Sequence, residues 1–224
     1  MDKEILLRIL VLVPVALIAI TYHELMHAWV ADKLGDPTAR QLGRITFNPI
    51  HHIDLFGTII IPILLQIYGN GVLFGYAKPV PVNVHNLRSP RRGMMLVAAA
   101  GPGANALLAL VSTFLLFIIN LVPASPITAF LLNPLRVLFA MSINFNVILM
   151  LFNLIPIPPL DGGRILVGLL PEQVGESLAR AEPILMLGLI FLIMFDPTGT
   201  LNKILWPLMQ GIVNFLLNLS GINL

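Results

Sequence analysis

Long uncharged stretches alternate with short charged ones along the whole chain. A helix that crosses a bilayer core of about 30 Å needs about 20 mostly apolar residues, so the longer stretches predict membrane spans. One stretch is too long for a single helix, and Pro123 and Pro126 predict a turn inside it. The uncharged intervals are 9–23, 55–77, 93–135, 137–160, 183–195 and 204–224.

The pattern predicts an all-α polytopic membrane protein with about five to six transmembrane helices. We interpret residues 1–224 as a single membrane domain. Its elements are predicted as a helix at 5–34, a re-entrant or hairpin region at 41–92, a helix at 94–121, a helix with a following broken segment at 135–170, and C-terminal helices at 175–220.

Region 41–92 departs from the simple helical pattern. Its apolar part, 55–69, contains Gly57 and Pro62, and the sequence leaves open whether it crosses the membrane or enters and leaves from one side. The prolines that follow, in Lys78-Pro79-Val80-Pro81-Val82, favour extended or hairpin-like chain over helix.

Composition supports the membrane assignment. Hydrophobic residues make up 57% and charged residues 11% of the 224 residues, and the mean hydropathy is +0.91. These values exclude an ordinary soluble globule. The formal charge of +2 is too small to indicate a nucleic-acid partner. Cysteine is absent, so a metal site would have to use His, Asp or Glu ligands.

The basic residues indicate an orientation. If the helix at 5–34 runs inward and the next two spans return in alternation, nine of the 13 Lys and Arg residues fall on one side. Cytoplasmic loops carry such an excess, so regions 33–92 and 156–180 are predicted to be cytoplasmic. Lys3 and Arg8 disagree with this orientation, because they would lie outside.

One pair of histidines stands at the end of the first apolar run, in His23-Glu24-Leu25-Met26-His27. Residues four apart share a helix face, about 6 Å apart along the axis, so both imidazoles can bind one Zn²⁺ with Glu24 beside it. A catalytic zinc site commonly has three protein ligands, and the acidic candidates near apolar sequence are Asp54, Asp161, Glu182 and Asp196.

Asp161 is the best candidate for the third ligand. It ends an uncharged run, follows a proline-rich break that begins at Asn153, and precedes Gly162 and Gly163, which permit close backbone packing. Irregular backbone at membrane depth is tolerated only where protein or water surrounds it, as in an active-site cavity.

Three motifs together resemble the site-2 protease family of intramembrane zinc metalloproteases. In order they are His23-Glu24-x-x-His27, Gly101-Pro-Gly-Ala-Asn105, and Asn153-x-x-Pro-x-x-x-Leu-Asp161-Gly, and they span roughly residues 10–170. The sequence shows neither a PDZ nor a CBS domain, which is typical of compact prokaryotic members.

The resemblance implies a zinc-dependent endopeptidase that cuts transmembrane segments of membrane proteins. One Zn²⁺ per chain would be bound by His23, His27 and Asp161, and Glu24 would be the general base toward zinc-activated water. Asn105 and Asn153 are candidates to bind substrate backbone or an oxyanion.

The resemblance also implies a location and a local structure. It implies a three-helix catalytic core at 5–34, 94–121 and 135–155, and a membrane-associated β-hairpin at 72–84 whose edge could pair with an unwound substrate. The expected site of action is a prokaryotic plasma membrane, with the metal toward the cytoplasm.

Two other functions remain open on the sequence, a membrane metal-ion transporter and a catalytically silent binder of membrane proteins. A transporter has no need of Glu24 as a base, and the four intact motif residues argue against a silent relative. A second polar cluster, His51, His52 and Asp54, could bind another metal, but we favour an interfacial loop that caps the next apolar segment.

Overall fold

The computed structural model describes residues 3–54, 78–123, 125–195, 199 and 201–222. The α-helices in this part are α1 (Lys3–Lys33), α2 (Thr38–Gln41), α3 (Pro90–Asn120), α4 (Pro126–Asn153), α5 (Asp161–Leu169), α6 (Glu172–Arg180), α7 (Glu182–Phe195) and α8 (Trp206–Leu219). Short 3₁₀ turns occupy Pro49–His52 and Val84–Asn86, and a π-helical turn at Leu201–Leu205 leads into α8. The described residues form no strand.

Three helices are long and apolar enough to cross a membrane. These segments are Leu10–Lys33 of α1, Pro90–Asn120 (α3) and Pro126–Asn153 (α4). They match the three predicted core helices within a few residues, except that α4 begins nine residues before its predicted start. It begins with a capping box, in which Ser125 and Thr128 bond reciprocally to each other's backbone N–H, and with Pro126 in its first turn.

Helix α3 lies at the centre of the bundle and packs against α1, α4 and α5. Toward the end of α3 remote from the predicted metal ligands, its inner face joins α4 and α8 in an apolar core that includes Leu116, Ile143, Val147 and Val213. Its other face presents large apolar side chains outward, Phe114 among them at 62% exposure. An apolar core combined with an apolar exterior fits a bundle surrounded by lipid.

The predicted number of five to six spans is not confirmed. Helices α7 and α8 each contain 14 residues, which at 1.5 Å per residue reach about 21 Å, less than a bilayer core. Segment 55–69 lies outside the described residues. The predicted β-hairpin lies partly outside them too, and its described end, 78–83, forms no strand.

The helical structure is interrupted between α4 and α5, as the prolines predict. Helix α4 ends at Asn153, and α5 begins at Asp161. Gly162 and Gly163 pack directly on the backbone of the break: a Cβ on Gly162 would lie 2.2 Å from the Leu154 oxygen, and one on Gly163 2.2 Å from the Pro158 nitrogen. The two glycines therefore let the start of α5 pack closely on the backbone that follows α4, and this packing determines the position of Asp161.

Candidate metal centre

Three predicted ligands meet in the structure. His23 and His27 lie one turn apart near the C-terminal end of α1, and Asp161 opens α5 opposite them. All three are buried, with exposures of 6%, 9% and 5%. Among the described residues, these are the three His, Asp or Glu side chains whose ligand atoms lie close enough together to hold a metal ion.

The ligand atoms form a nearly equilateral triangle. The two Nε2 atoms are 3.0 Å apart, and Asp161 Oδ2 lies 3.1 Å from His23 Nε2 and 3.2 Å from His27 Nε2. Tetrahedral zinc with bonds of about 2.0–2.1 Å separates its ligand atoms by roughly 3.3 Å. The triangle thus has nearly the size that one zinc ion requires.

Hydrogen bonds fix the tautomer of both rings. Asn105 uses its amide nitrogen to donate to Ala19 O at 3.2 Å and Asn146 Oδ1 at 2.9 Å, so its Oδ1 accepts from His23 Nδ1 at 2.6 Å. His27 Nδ1 donates to the carbonyl of Val97 at 2.6 Å. Each ring nitrogen that carries the proton therefore faces away from the triangle, and each Nε2 points a lone pair into it.

This donor set fits a cation. Asp161 Oδ2 is a buried oxygen without a hydrogen-bond donor. Two imidazole lone pairs and a carboxylate oxygen in mutual contact repel one another unless a positive charge lies among them. Nitrogen and oxygen ligands are typical of zinc, as are histidines whose other ring nitrogen donates to a protein oxygen.

Glu24 lies beside the triangle and is only partly buried. Its Oε2 accepts a hydrogen bond from the backbone N–H of Val80 at 3.0 Å. This contact joins the proline-containing segment that begins at Lys78 to α1. The sequence placed Glu24 next to the histidines but gave no sign of its partner.

The two asparagines predicted to bind substrate occupy different positions. Asn105 is fully buried behind His23, and its side chain bonds to His23 Nδ1, Ala19 O and Asn146 Oδ1. Asn153 is partly exposed at the end of α4 and donates to Leu149 O of its own helix at 2.9 Å.

Sequence reasoning missed Asn146, which holds Asn105 in place. It is 1% exposed and donates to Ser142 O at 2.9 Å while its Oδ1 accepts from Asn105. The sequence did offer a signal, an amide side chain in the middle of an apolar span. A polar side chain at membrane depth costs free energy unless it has a hydrogen-bond partner, so Asn146 could have been expected to bond to another polar residue.

The second polar cluster does not assemble as a metal site in the described part of the chain. His51 is exposed, whereas His52 is buried, and its Nε2 bonds to Thr46 O at 3.0 Å. The His52 carbonyl accepts from Lys78 N at 2.9 Å. His52 therefore joins two loops, and the apolar segment that the cluster was predicted to cap lies outside the described residues.

The comparisons with known proteins agree with this geometry. The profile described as "Peptidase family M50" matches residues 11–132 and 124–195. The chain belongs to peptidase family M50. No solved structure gave a significant match.

Curated relatives of this M50 chain carry zinc-protease names. "Putative zinc metalloprotease YwhC" of Bacillus subtilis (strain 168) is 40% identical over 201 residues, which cover 89% of this chain and 86% of the relative. "Putative zinc metalloprotease Rip2" of Mycobacterium tuberculosis (strain H37Rv) is 31% identical over 210 residues, which cover 92% and 73%. As an M50 member, the chain is a zinc metalloendopeptidase with apolar helices suited to a membrane.

Proposed function

We propose that this metallopeptidase cuts membrane-protein substrates within the bilayer, with His23, His27 and Asp161 as zinc ligands and Glu24 as general base. The observation that carries the proposal is the triangle of His23 Nε2, His27 Nε2 and Asp161 Oδ2. Its two histidines lie on α1 where this helix packs against α3, and both helices are long and apolar enough to cross a membrane. The same arrangement leaves Glu24 partly exposed beside the ligands.

The depth of the triangle supports an intramembrane reaction. His27 stands six residues before Lys33 at the end of α1, about 9 Å along the helix axis. Asn105 and Gly101, which face the histidines, lie inside α3 and well beyond the basic residues at its start. The ligands therefore lie among apolar helices rather than at the charged helix ends, which suits a substrate bond within a transmembrane segment.

His23, His27 and Asp161 would hold a zinc ion, which would polarise the scissile carbonyl as a Lewis acid and lower the pKa of bound water to about 7. The chain's own contribution is proton transfer. Glu24 takes a proton from the attacking water and returns it to the leaving nitrogen, so the carboxylate is regenerated in each turnover. Asn105 keeps His23 in the tautomer that offers Nε2 to the metal.

We assign Asn153 as the remaining candidate to contact substrate backbone or an oxyanion. It lies where α4 ends, eight residues before Asp161 in the chain, and it is not buried. One proton of its amide nitrogen is donated to Leu149 O of the same helix. A substrate oxygen would accept the other amide proton or would displace Leu149 O.

We also propose that the metal lies toward the cytoplasm of a prokaryotic plasma membrane. The helix ends nearest the site carry Lys33 at the end of α1 and Arg91 and Arg92 at the start of α3. Positive charges of this kind favour the cytoplasmic side.

The test is cleavage of a tagged single-span substrate by the purified full-length protein in liposomes, wild type beside Glu24→Gln, with zinc determined on both. We expect the variant to keep about one zinc per chain and to lose activity by at least 100-fold, within the range for general acid–base catalysis. Equal activity of the two proteins would refute the role of Glu24. Zinc without cleavage of any substrate in a broad panel would favour the transporter or the silent binder, and a metal-flux assay in the same liposomes separates those two.

A further inference from the structure

A cavity of about 590 Å³ lies between the proline-containing segment and helices α3, α5 and α6. Its volume is in the usual range of ligand pockets. Val80 and Pro158 both line it. The backbone N–H of Val80 donates to Glu24 Oε2 at 3.0 Å, and Pro158 packs on Gly163 in the first turn of α5. The cavity therefore begins at residues that contact the metal-site motifs.

One wall of the cavity is apolar. Val80, Val82 and Val84 line it from the proline-containing segment, and Met94 lines it from α3. The backbone at Asn83 is extended, and alternate residues of an extended chain face the same side, which explains why the three valines lie together. This wall suits apolar residues at the end of a transmembrane segment.

Helix α6 forms a second wall with one of its faces. Glu172, Gly175, Glu176 and Ala179 line the cavity, and their spacing of three and four residues places them on one side of the helix. Because Gly175 and Ala179 are small, the two carboxylates supply the polar atoms of this face. Glu182, at the start of α7, adds a third carboxylate. We call Glu172, Glu176 and Glu182 the acidic wall.

The acidic wall has unpaired charge. Glu176 accepts from Arg180 of the same helix at 2.9 Å, and both side chains are largely exposed. In the part of the chain that the structure describes, Glu172 and Glu182 have no ion-pair partner. A cationic group that enters the cavity thus meets carboxylates that no protein cation neutralises.

Two arginines line other parts of the cavity. Arg91 lies in the first turn of α3, where its Nε donates to Gly168 O at 3.0 Å, and Arg164 lies within α5. They belong to two different helices, whereas the carboxylates share the wall made by α6 and the start of α7. The side of α6 is therefore the part of the cavity that attracts cations.

The position of the acidic wall relates it to the direction of a bound substrate. A Cβ on Gly175 would lie 2.8 Å from Val167 O, so α6 packs on the end of α5. Gly168 follows Asp161 by seven residues, about 10 Å along α5 and toward the start of α3. Extended chain rises about 3.3 Å per residue, so a peptide that leaves the metal ligands reaches this level after about three to five residues.

We propose that this cavity receives the cytoplasmic flank of the substrate's transmembrane segment. Its acidic wall, Glu172, Glu176 and Glu182, binds Lys or Arg side chains about three to five residues from the scissile bond. The assignment rests on the proposed function and adds a substrate feature that the same site selects. Charge complementarity supports it, because the cytoplasmic ends of membrane spans carry an excess of Lys and Arg.

Matched single-span substrates test the charge preference. They differ only at the third to fifth residues on the cytoplasmic side of the scissile bond, which is located by mass spectrometry, and carry Lys, Ala or Glu there. The full-length protein is assayed in liposomes of zwitterionic lipid, so that lipid headgroups do not select the basic flank. We expect kcat/KM to be about 3–20-fold higher for Lys than for Ala, since one exposed ion pair contributes up to about fivefold. The preference should decrease as salt is added.

Charge reversal on α6 separates recognition from a structural effect. The double variant Glu172→Lys with Glu176→Lys is expected to prefer the Glu flank over the Lys flank. Ser177→Lys, an exposed position on the opposite side of α6, should keep the wild-type order. Glu172→Gln with Glu176→Gln is the milder pair if the reversed variant does not fold, and it should make the Lys and Ala substrates nearly equal. Equal cleavage of the three substrates by wild type, or an unchanged preference in the double variants, overturns the proposal.

Disulfide cross-linking tests the location without turnover. The chain has no cysteine, so Ala179→Cys on the lining face and Val174→Cys on the opposite, exposed face each introduce one thiol. Both are made in the Glu24→Gln background and treated with a mild oxidant beside a substrate that carries one Cys at the fourth flank residue. Cross-linking should be several-fold stronger to Ala179→Cys, and equal yields overturn the proposal.

The two readouts distinguish failure of the subsite from failure of the proposed function. If wild type cuts none of the substrates while the selective cross-link to Ala179→Cys forms, the peptidase reaction fails and binding of the flank stands. If wild type cuts all three substrates equally and the cross-link is not selective, cleavage stands and only the subsite fails.

Discussion

Gly101 of α3 lies directly against the imidazole of His27. A Cβ at this position would stand 2.4 Å from His27 Nε2 and 2.6 Å from His23 Cε1, closer than real Cβ contacts come. Gly101, the glycine of the second motif, therefore packs directly against the rings of both candidate histidine ligands. It sits one helical turn before Asn105, so one face of α3 supplies both the space for the rings and the acceptor that orients His23.

Gly101→Ala should abolish zinc binding and cleavage while the protein still inserts in the membrane. The methyl group would overlap both histidine rings, so the rings must leave the positions in which their Nε2 atoms face Asp161. The matched control is Gly103→Ala two residues along the same helix, where a Cβ meets nothing within 4 Å. Zinc per chain, measured on both purified variants, checks the prediction; a zinc-loaded, active Gly101→Ala protein would contradict it.

Asn105→Ala should weaken zinc affinity about 10–100-fold, because His23 loses the acceptor that fixes its tautomer and orientation. Asn146→Ala should have a smaller effect in the same direction, since it acts through Asn105. Competition with a metal chelator measures the affinity independently of activity. Asn144→Ala is the control, because Asn144 donates to Ala140 O of its own helix. Equal affinities for Asn105→Ala and Asn144→Ala would argue against the orienting role.

Gly162→Ala should move Asp161 away from the histidines. A Cβ there would lie 2.2 Å from Leu154 O and 2.6 Å from Ile155 O, so the start of α5 must shift relative to the end of α4. We expect at least a tenfold loss of zinc affinity, similar to the loss of a supporting group. Gly188→Ala in α7, where the added Cβ meets open space, should leave affinity unchanged. The prediction fails if both variants bind zinc like wild type.

Asp36 should make stability depend on pH. Burial raises the pKa of Asp36, but hydrogen bonds from Thr38, Asn86 and Asn83 lower it more, and its pKa lies below the ordinary value. A carboxyl whose pKa is lower in the folded protein stabilises the fold fully above the unfolded value near 3.9, and this stabilisation disappears as the pH falls through the folded value.

The corresponding variant is Asp36→Asn, which turns one acceptor into a donor that faces Thr38 or Asn83. We expect it to lower the free energy of unfolding by about 1–3 kcal/mol at pH 7, and the difference from wild type to shrink in strong acid. Thermal unfolding in detergent at both pH values measures this, with Glu172→Gln, an exposed carboxylate on α6, as the control. A difference that is independent of pH would contradict the ionised state of Asp36.

The sequence by itself determined the parts of this protein that depend on local pattern. Apolar stretches of sufficient length predicted the core helices, because the bilayer sets the number of apolar residues that a span requires. The spacing of His23 and His27 follows from the helical repeat alone, and Asp161 could be selected because a charged group after a proline break at membrane depth needs a partner. The number of shorter C-terminal spans could not be read in this way, since a buried or interfacial helix has the same composition as a short span.

The tertiary structure decided which atoms face each other. Val97 O and Asn105 determine the tautomers of the histidines, Asn146 holds Asn105, and Val80 N–H meets Glu24. These partners are 41 to 82 residues apart in the chain. Hydrogen-bond direction depends on distances of a few tenths of an ångström between helices that meet only on folding, and no periodicity in the sequence encodes it.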